Sequence, residues 1–326
     1  MREVAFIKQN KEKWLELEQA IFGKTKKNPD EIANLYIQIV NDLAYAQTFY
    51  PKSKTVIYLN YLASQIFQRV YKTKRTDKNR FIYFFKTEVP LIVYHYRRYL
   101  LYAFALFFIS TAIGVISAKY DQDFVRLILG DDYVNRTLEN IKDGNPVAIY
   151  KSGSNWGSFI GITTNNLFVG MRCYIWGIFC GIGTFLVFLE NCIMLGSFQY
   201  FFYEQNVFWK SVRGIWIHGS MEIFAIVIES MAGFILGASI LFPKTYSRLN
   251  SFKIGLKDSL KIFLSTFPFT IAAGFLEGFI TRYSIDMPIW LSSLIILGTL
   301  SIISFYYIIY PKIVTKKLNY NYVPTI

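Results

Sequence analysis

The chain has 326 residues, of which 53% are hydrophobic and 18% aromatic, while only 17% are charged. Its mean hydropathy is positive, which excludes an ordinary soluble globular protein, because the surplus of apolar side chains must face something other than water. The formal net charge is +13, but the cations concentrate beside apolar segments. Since that distribution is typical of cytoplasmic loops, we expect contact with a lipid bilayer and no binding of nucleic acid.

Residues 1–98 carry charges throughout and are predicted to form a cytoplasmic helical domain. Apolar residues recur at three- and four-residue spacing in segments 31–50 and 53–71, which predicts two helices separated at Pro51. The segment 81–99 combines aromatic and basic residues, which is typical of an amphipathic helix at the headgroup level. Residues 1–22 mix Lys, Glu and Trp and do not resemble a secretory signal.

From residue 99 to residue 311, long apolar segments alternate with polar ones, which predicts a membrane domain of about six spanning helices. The predicted spans are 100–118, 167–189, 191–207, 214–242, 262–281 and 289–310. The charged segment 119–156 is predicted to be an external loop with short amphipathic helices.

The basic segment 244–261 and the tail, 312–326, are predicted to be cytoplasmic by the positive-inside rule. Two cytoplasmic termini require an even number of crossings. We therefore count the short segment 191–207 as a crossing, although its length also suits a re-entrant segment.

Polar residues inside the predicted spans are the natural candidates for function, because a charge in the bilayer needs a partner or a water-filled cavity. These residues are Glu190, Asn191, His218, Glu222, Glu229 and Glu277. His218, Glu222 and Glu229 follow at spacings of four and seven residues, which places them on one face of a helix. Three interpretations stay open: structural pairing between helices, a proton or ion path, and a weak metal site at His218 and Glu222.

Pairs of glycines at four-residue spacing predict close contact between membrane helices. The pairs are Gly177 and Gly181, Gly233 and Gly237, and Gly274 and Gly278. The sequence contains no phosphate-binding loop, nucleophile turn or dinucleotide fingerprint, so we predict no cofactor and no enzymatic activity.

Three elements occur in a distinctive order along the chain. The first is a glycine-containing stretch from Asn166 to Gly196, the second is His218-Gly219-Ser220-Met221-Glu222, and the third is Phe275-Leu276-Glu277-Gly278. In order and spacing they resemble the stage II sporulation protein M family over about residues 99–311, although Cys192 stands where that family has Gly. The resemblance implies an integral membrane protein that works in an envelope complex, which in spore formers recruits peptidoglycan-degrading partners.

The expected fold is therefore all-α: a polytopic α-helical protein of the bacterial cytoplasmic (inner) membrane with both termini in the cytoplasm. The first hypothesis is a non-enzymatic subunit of a cell-envelope complex, with other membrane proteins or a second copy of this chain as partners. The alternative is a transporter, channel or lipid-handling permease that uses the intramembrane carboxylates. An intramembrane hydrolase lacks an evident nucleophile or metal set.

Overall fold

The chain folds as helices joined by short turns. The computed structural model describes residues 2–22, 29–71, 79–146, 148 and 154–318, and within these ranges every regular element is a helix. Two compact units are present, Met1–Arg80 and Phe81–Ile326. The all-α class predicted from the sequence is confirmed.

The first unit contains three helices, α1 (Glu3–Phe22), α2 (Pro29–Phe49) and α3 (Lys54–Tyr71). Their apolar faces bury a small core: Phe6, Trp14, Leu17, Ile39, Ala46, Leu59, Leu62, Ala63 and Ile66. The indole nitrogen of Trp14 donates a hydrogen bond of 2.9 Å to Asp42, which ties α1 to α2. α1 is a helix that the sequence pattern did not predict.

The second unit begins with short helices and continues with long ones. α4 (Arg80–Tyr83) reaches α5 (Val89–His95) through the π-helical turn Phe84–Glu88. The helices that follow are α6 (Arg97–Tyr120), α7 (Gln122–Leu129), α8 (Asp131–Lys142), α9 (Asn155–Ile175), α10 (Ile182–Glu204), α11 (Phe208–Leu241), α12 (Arg248–Phe275), α13 (Ile289–Ser304) and α14 (Tyr310–Leu318). α12 is extended by the π-helical turn Leu276–Ile280 and the 3₁₀ turn Thr281–Tyr283.

Among the described residues, five helical segments are long and apolar enough to cross a membrane. They are Arg97–Tyr120, Ile182–Glu204, Phe208–Leu241, Arg248–Tyr283 and Ile289–Leu318. These segments make the chain a multi-pass membrane protein.

α9 is the sixth long helix of the bundle, although it is too polar to count among those five. Its start packs on the end of α12, where Phe159 contacts Gly278. The turn that follows it packs on the second half of α11, where Gly177 contacts Gly233. α9 therefore traverses the bundle from one end to the other beside α11 and α12, which are antiparallel. The six helices alternate in direction.

The bounds of two predicted spans need correction. The predicted span 167–189 covers the end of α9, a turn and the start of α10, and the predicted span 191–207 is the second half of α10. Hydropathy alone does not predict this turn, because Trp176–Ile178 is as apolar as a membrane helix. The chain reverses direction at Cys180 and Gly181, which have positive φ angles of 55° and 81°.

Two segments predicted to lie between spans are largely helical, and the first contains the short amphipathic helices that the sequence predicts. Within 119–156, the amphipathic segments form α7 and α8, and α9 already begins at Asn155. The basic segment 244–261 is mostly the first half of α12, which starts at Arg248 behind the N-cap Ser247. A helix rich in lysine near the bilayer surface satisfies its own backbone while its charges reach water.

α11 is the central helix, and most of its membrane-spanning portion is buried by the surrounding helices. Glycines on α11 allow the turn between α9 and α10 to approach its backbone. A Cβ on Gly233 would overlap the Thr184 hydroxyl, and a Cβ on Gly237 would overlap the backbone of Gly181. The contact therefore requires glycine, which has no Cβ, at both positions.

We predict that Gly233→Ala lowers the stability of the bundle by about 1–3 kcal/mol, because the added methyl group must displace Thr184 or the backbone of Cys173. The measurement is reversible unfolding of the purified protein in mixed micelles. Gly298→Ala on α13 is the matched control, because a Cβ there meets no atom within 4 Å. Equal stability of the two variants would contradict the proposed backbone contact.

Candidate functional site

A cavity of about 630 Å³ lies in the membrane unit between α6, the α7–α8 pair, and α9 to α12. Most of its wall is apolar, and its polar lining includes Asn165, Asn166, Asn191, His218, Glu222, Glu229, Thr270 and Glu277. The exposed residues of the lining are Gly161, Asn165 and Met194, which belong to α9 and α10. The mouth of the cavity therefore lies between these two helices.

His218, Glu222 and Glu277 meet inside this cavity, and we refer to them as the histidine–carboxylate cluster. His218 and Glu222 lie one turn apart on α11, so their side chains share a face. Glu277 comes from the π-helical turn that extends α12. One ligand-type atom from each side chain lies within 4.8 Å of the other two, and His218 Nε2 is 3.7 Å from Glu277 Oε2.

Thr281 orients the imidazole of His218. The hydroxyl oxygen, Thr281 Oγ1, lies 3.3 Å from the Leu276 carbonyl oxygen and 3.0 Å from His218 Nδ1. When the Thr281 hydroxyl donates its hydrogen to the Leu276 carbonyl, its oxygen can accept a hydrogen bond from His218 Nδ1–H. That tautomer leaves the lone pair of Nε2 on the side of Glu277 and the cavity.

Glu229 lies deeper in the same cavity, 11 residues or about 16 Å along α11 from His218. Its side chain is buried, with 3% of the residue exposed, and it accepts a hydrogen bond of 2.8 Å from the Thr266 hydroxyl. Its carboxylate fills the space that a Cβ on Gly170 would need. α9 and α12 thus enclose this carboxylate from two sides.

Buried hydroxyl groups continue from Glu229 toward the start of α12. Ser265 contacts the Tyr307 hydroxyl at 2.8 Å, and Ser259 contacts the Tyr174 hydroxyl at 3.2 Å. Asp258 is 4% exposed and accepts a hydrogen bond of 3.2 Å from Tyr96. A polar face of α12 therefore runs inside the bundle for much of the helix.

Tyr133 of α8 lines the cavity at the end nearest the α7–α8 pair. Burial raises the pKa of its hydroxyl to about 12, so the group is neutral at physiological pH. It adds a hydrogen-bonding group at this end of the cavity without adding a charge.

The polar residues predicted from the sequence separate into two groups. The cavity brings together His218, Glu222, Glu229 and Glu277, and Asn191 also lines it while donating to the Val187 carbonyl oxygen at 2.7 Å. Glu190 lies outside the cavity. Its side chain is 70% exposed on the surface of the bundle, where Glu190 Oε2 is 3.9 Å from Arg172 Nη2.

The paired glycines lie at two contacts of α9 and its following turn. Gly177 and Gly181 face Gly233 and Gly237 of α11, as described above. At the other end of α9, Gly274 contacts Thr163 and Gly278 contacts Phe159. These contacts hold α9 against α11 and α12, and they leave the cavity between α9 and α10.

Several site residues were not predicted. Thr281, Thr266 and Asn166 are the clearest, because their roles depend on partners from other helices. A signal for the first two exists in α12 and its extension, where Ser259, Thr266, Thr270, Glu277 and Thr281 follow at spacings of seven, four, seven and four residues. This spacing marks one helix face.

The family comparison agrees with this geometry. The family model described as "Stage II sporulation protein M" matches residues 103–282, more than half of the chain, and therefore the chain belongs to this family. The matched range contains the complete histidine–carboxylate cluster and Thr281. A second model, described as "Domain of unknown function (DUF8413)", matches residues 4–72, which correspond to the three-helix unit. No curated protein and no solved structure matches the chain.

Proposed function

We propose that this member of the stage II sporulation protein M family binds a small polar or cationic solute inside its membrane bundle and works as a non-enzymatic transporter, channel or permease. The observation that carries the proposal is the cavity of about 630 Å³, in which an otherwise apolar wall presents a few convergent polar groups. If these carboxylates only held helices together, each would pair with a group on a neighbouring helix. Glu277 does pair with His218 of α11, but Glu222 and Glu277 both also line open space, which a purely structural role does not require.

The position of the cavity also supports a path for a solute. Its mouth lies between α9 and α10, and Glu229 forms part of its deeper wall. Beyond Glu229, the hydroxyls of Thr266 and Ser259 lead along α12 to Asp258. Intramembrane ionisable groups followed by buried hydroxyls are typical of ion and proton pathways.

We expect Glu222→Gln and Glu277→Gln to reduce cation flux by about tenfold or more, because each removes a charge that would contact the solute. The measurement uses purified protein in sealed vesicles with pH-sensitive and metal-sensitive dyes inside. Glu204→Gln, an exposed carboxylate at the end of α10, is the matched control. Flux through vesicles with the native protein that equals flux through empty vesicles would refute transport.

A second candidate function, a subunit of a cell-envelope complex, has its own supporting observation. Arg172 and Glu190 are exposed on the surface of the bundle, with side chains 48% and 70% accessible. Glu190 lies eight residues, or about 12 Å, from the start of α10. Exposing these charges to lipid hydrocarbon would cost several kcal/mol, whereas a polar partner or a second copy of the chain would satisfy them.

If this surface binds a partner, Glu190→Ala and Arg172→Ala should each weaken the complex, because each leaves the opposite charge uncompensated. The mass of the protein in mild detergent, measured by light scattering and native mass spectrometry, reports whether a second copy or another subunit is present. Leu297→Ala, on the exposed face of α13, is the control. If the mass and subunit composition of the complex are unchanged in all three variants, this surface does not bind a partner.

For orientation, we propose the bacterial cytoplasmic membrane with both termini in the cytoplasm. Support comes from one end of the bundle, where α6 begins with Arg97 and α12 begins with Arg248. On the same side of the bundle, 13 residues into α12, Lys261 pairs with Glu88 at 2.6 Å. By the positive-inside rule this end faces the cytoplasm, and the α7–α8 pair lies on the external side.

Cysteine labelling tests this orientation. In a protein whose native cysteines are replaced, Arg136→Cys on α8 should react with a membrane-impermeant maleimide in intact cells, and Thr245→Cys should react only after permeabilisation. Both positions are exposed, so differences in reactivity report the side of the membrane. Reaction of both in intact cells would overturn the six-crossing arrangement.

A further inference from the structure

We infer that the histidine–carboxylate cluster is a binding site for a divalent transition-metal cation of the Zn²⁺ or Mn²⁺ class. The inference rests on the proposed function for the choice of site and adds the class of solute that the site would take. Three observations support it: the donor set, the charge balance of the cavity, and the orientation of the histidine.

The donor set is one imidazole nitrogen and two carboxylate oxygens, all within 4.8 Å of one another. Zn²⁺ binds such nitrogen and oxygen donors at about 2.0–2.2 Å, so two ligand atoms of a tetrahedral site lie about 3.4 Å apart. His218 Nε2 and Glu277 Oε2 are already 3.7 Å apart. Closing the site around an ion therefore requires the two Glu side chains to rotate and bring the most distant donor atoms about 1.4 Å closer. Three protein ligands leave a coordination position open to the cavity, as an exchangeable cation requires.

The charge balance of the cavity favours a cation. Glu222 and Glu277 place two carboxyl groups close together in a mostly apolar bundle, where two negative charges would repel strongly without a cation between them. Among the described residues, no Lys or Arg forms a salt bridge with either carboxylate, and Glu277 is paired with His218. A divalent cation would neutralise both charges at once.

The orientation of His218 is that of a metal ligand. A ligating imidazole usually donates its second N–H to an oxygen acceptor, which fixes the ring and directs the other lone pair at the metal. Thr281 Oγ1, 3.0 Å from Nδ1, is placed to be this acceptor when its own hydrogen is donated to the Leu276 carbonyl oxygen, 3.3 Å away. The lone pair of Nε2 then faces Glu277, an arrangement that a cation between the two groups would stabilise.

The cavity that contains the cluster also offers a group for a hydrated ion. The Nδ2 atom of Asn166 is buried and has no hydrogen-bond partner within the described part of the chain, and Asn166 lines the cavity. An amide nitrogen can donate to a carboxylate ligand or to a water molecule on the metal. The cavity is large enough for such water, at about 630 Å³.

The test is metal binding by the purified full-length protein in mild detergent after treatment with a chelator. Co²⁺ serves as the absorption probe, Zn²⁺ as its competitor, and bound metal is counted by mass spectrometry. We expect about one ion per chain at this site. Glu222→Gln, Glu277→Gln and His218→Asn should each abolish the Co²⁺ absorption bands, whereas Glu204→Gln should bind as the native protein does.

Thr281→Val provides the sharper variant, because it keeps the shape of the side chain and removes the acceptor for His218. Loss of a group that orients a ligand typically lowers metal affinity by about 10- to 100-fold. This variant and Glu222→Gln decide the question if His218→Asn does not fold, with the elution profile and unfolding transition as checks of folding. Native affinity in these two variants, or no Co²⁺ binding by the native protein, would overturn the site.

Binding and flux are measured separately so that the two proposals fail separately. Metal binding that depends on the cluster, without flux in vesicles, would refute transport and retain the site. Flux that depends on Glu222 and Glu277, without metal binding, would retain transport and refute the metal site.

Discussion

The structure of the membrane unit depends on the close contact between the glycine turn that follows α9 and the backbone of α11. Helices in lipid gain little from the hydrophobic effect, so they associate through tight packing and polar contacts. Gly177 and Gly181 in the turn, facing Gly233 and Gly237, make that packing possible. This contact fixes where α9 ends and α10 begins, and it thereby brings Gly170 against the carboxylate of Glu229.

The same contact explains why a cavity exists in the bundle at all. α9 is held against α11 at one end by glycines and against α12 at the other by Gly274 and Gly278. α10 packs instead on α6, where Gly114 approaches the backbone of Ile193. Because these contacts draw α9 and α10 toward different neighbours, the space between them stays open. The histidine–carboxylate cluster faces this space.

The helical class and most of the long helices could be predicted from sequence, because apolar length is a direct consequence of bilayer thickness. The turn at Trp176–Ile178 could not, since an apolar turn has the same hydropathy as a helix. The same limit applies to function. Spacing along one helix placed His218 with Glu222, but the approach of Glu277 depends on the antiparallel register of α11 and α12. Spacing also could not distinguish Glu190, on the surface, from the carboxylates inside.

Glu277 and Thr281 belong to a stretch whose winding differs from an α-helix. In the π-helical turn Leu276–Ile280, the backbone N–H of Thr281 bonds to the Leu276 carbonyl oxygen, five residues back. Each residue of an α-helix advances about 100° around the axis, so loss of the extra residue in this turn would swing the chain beyond it by a similar angle. Thr281 would leave His218, and the imidazole would lose its acceptor. The hydrogen bonding of a buried histidine is thus tied to how tightly one turn of backbone is wound, and π-helical turns are frequent at functional sites.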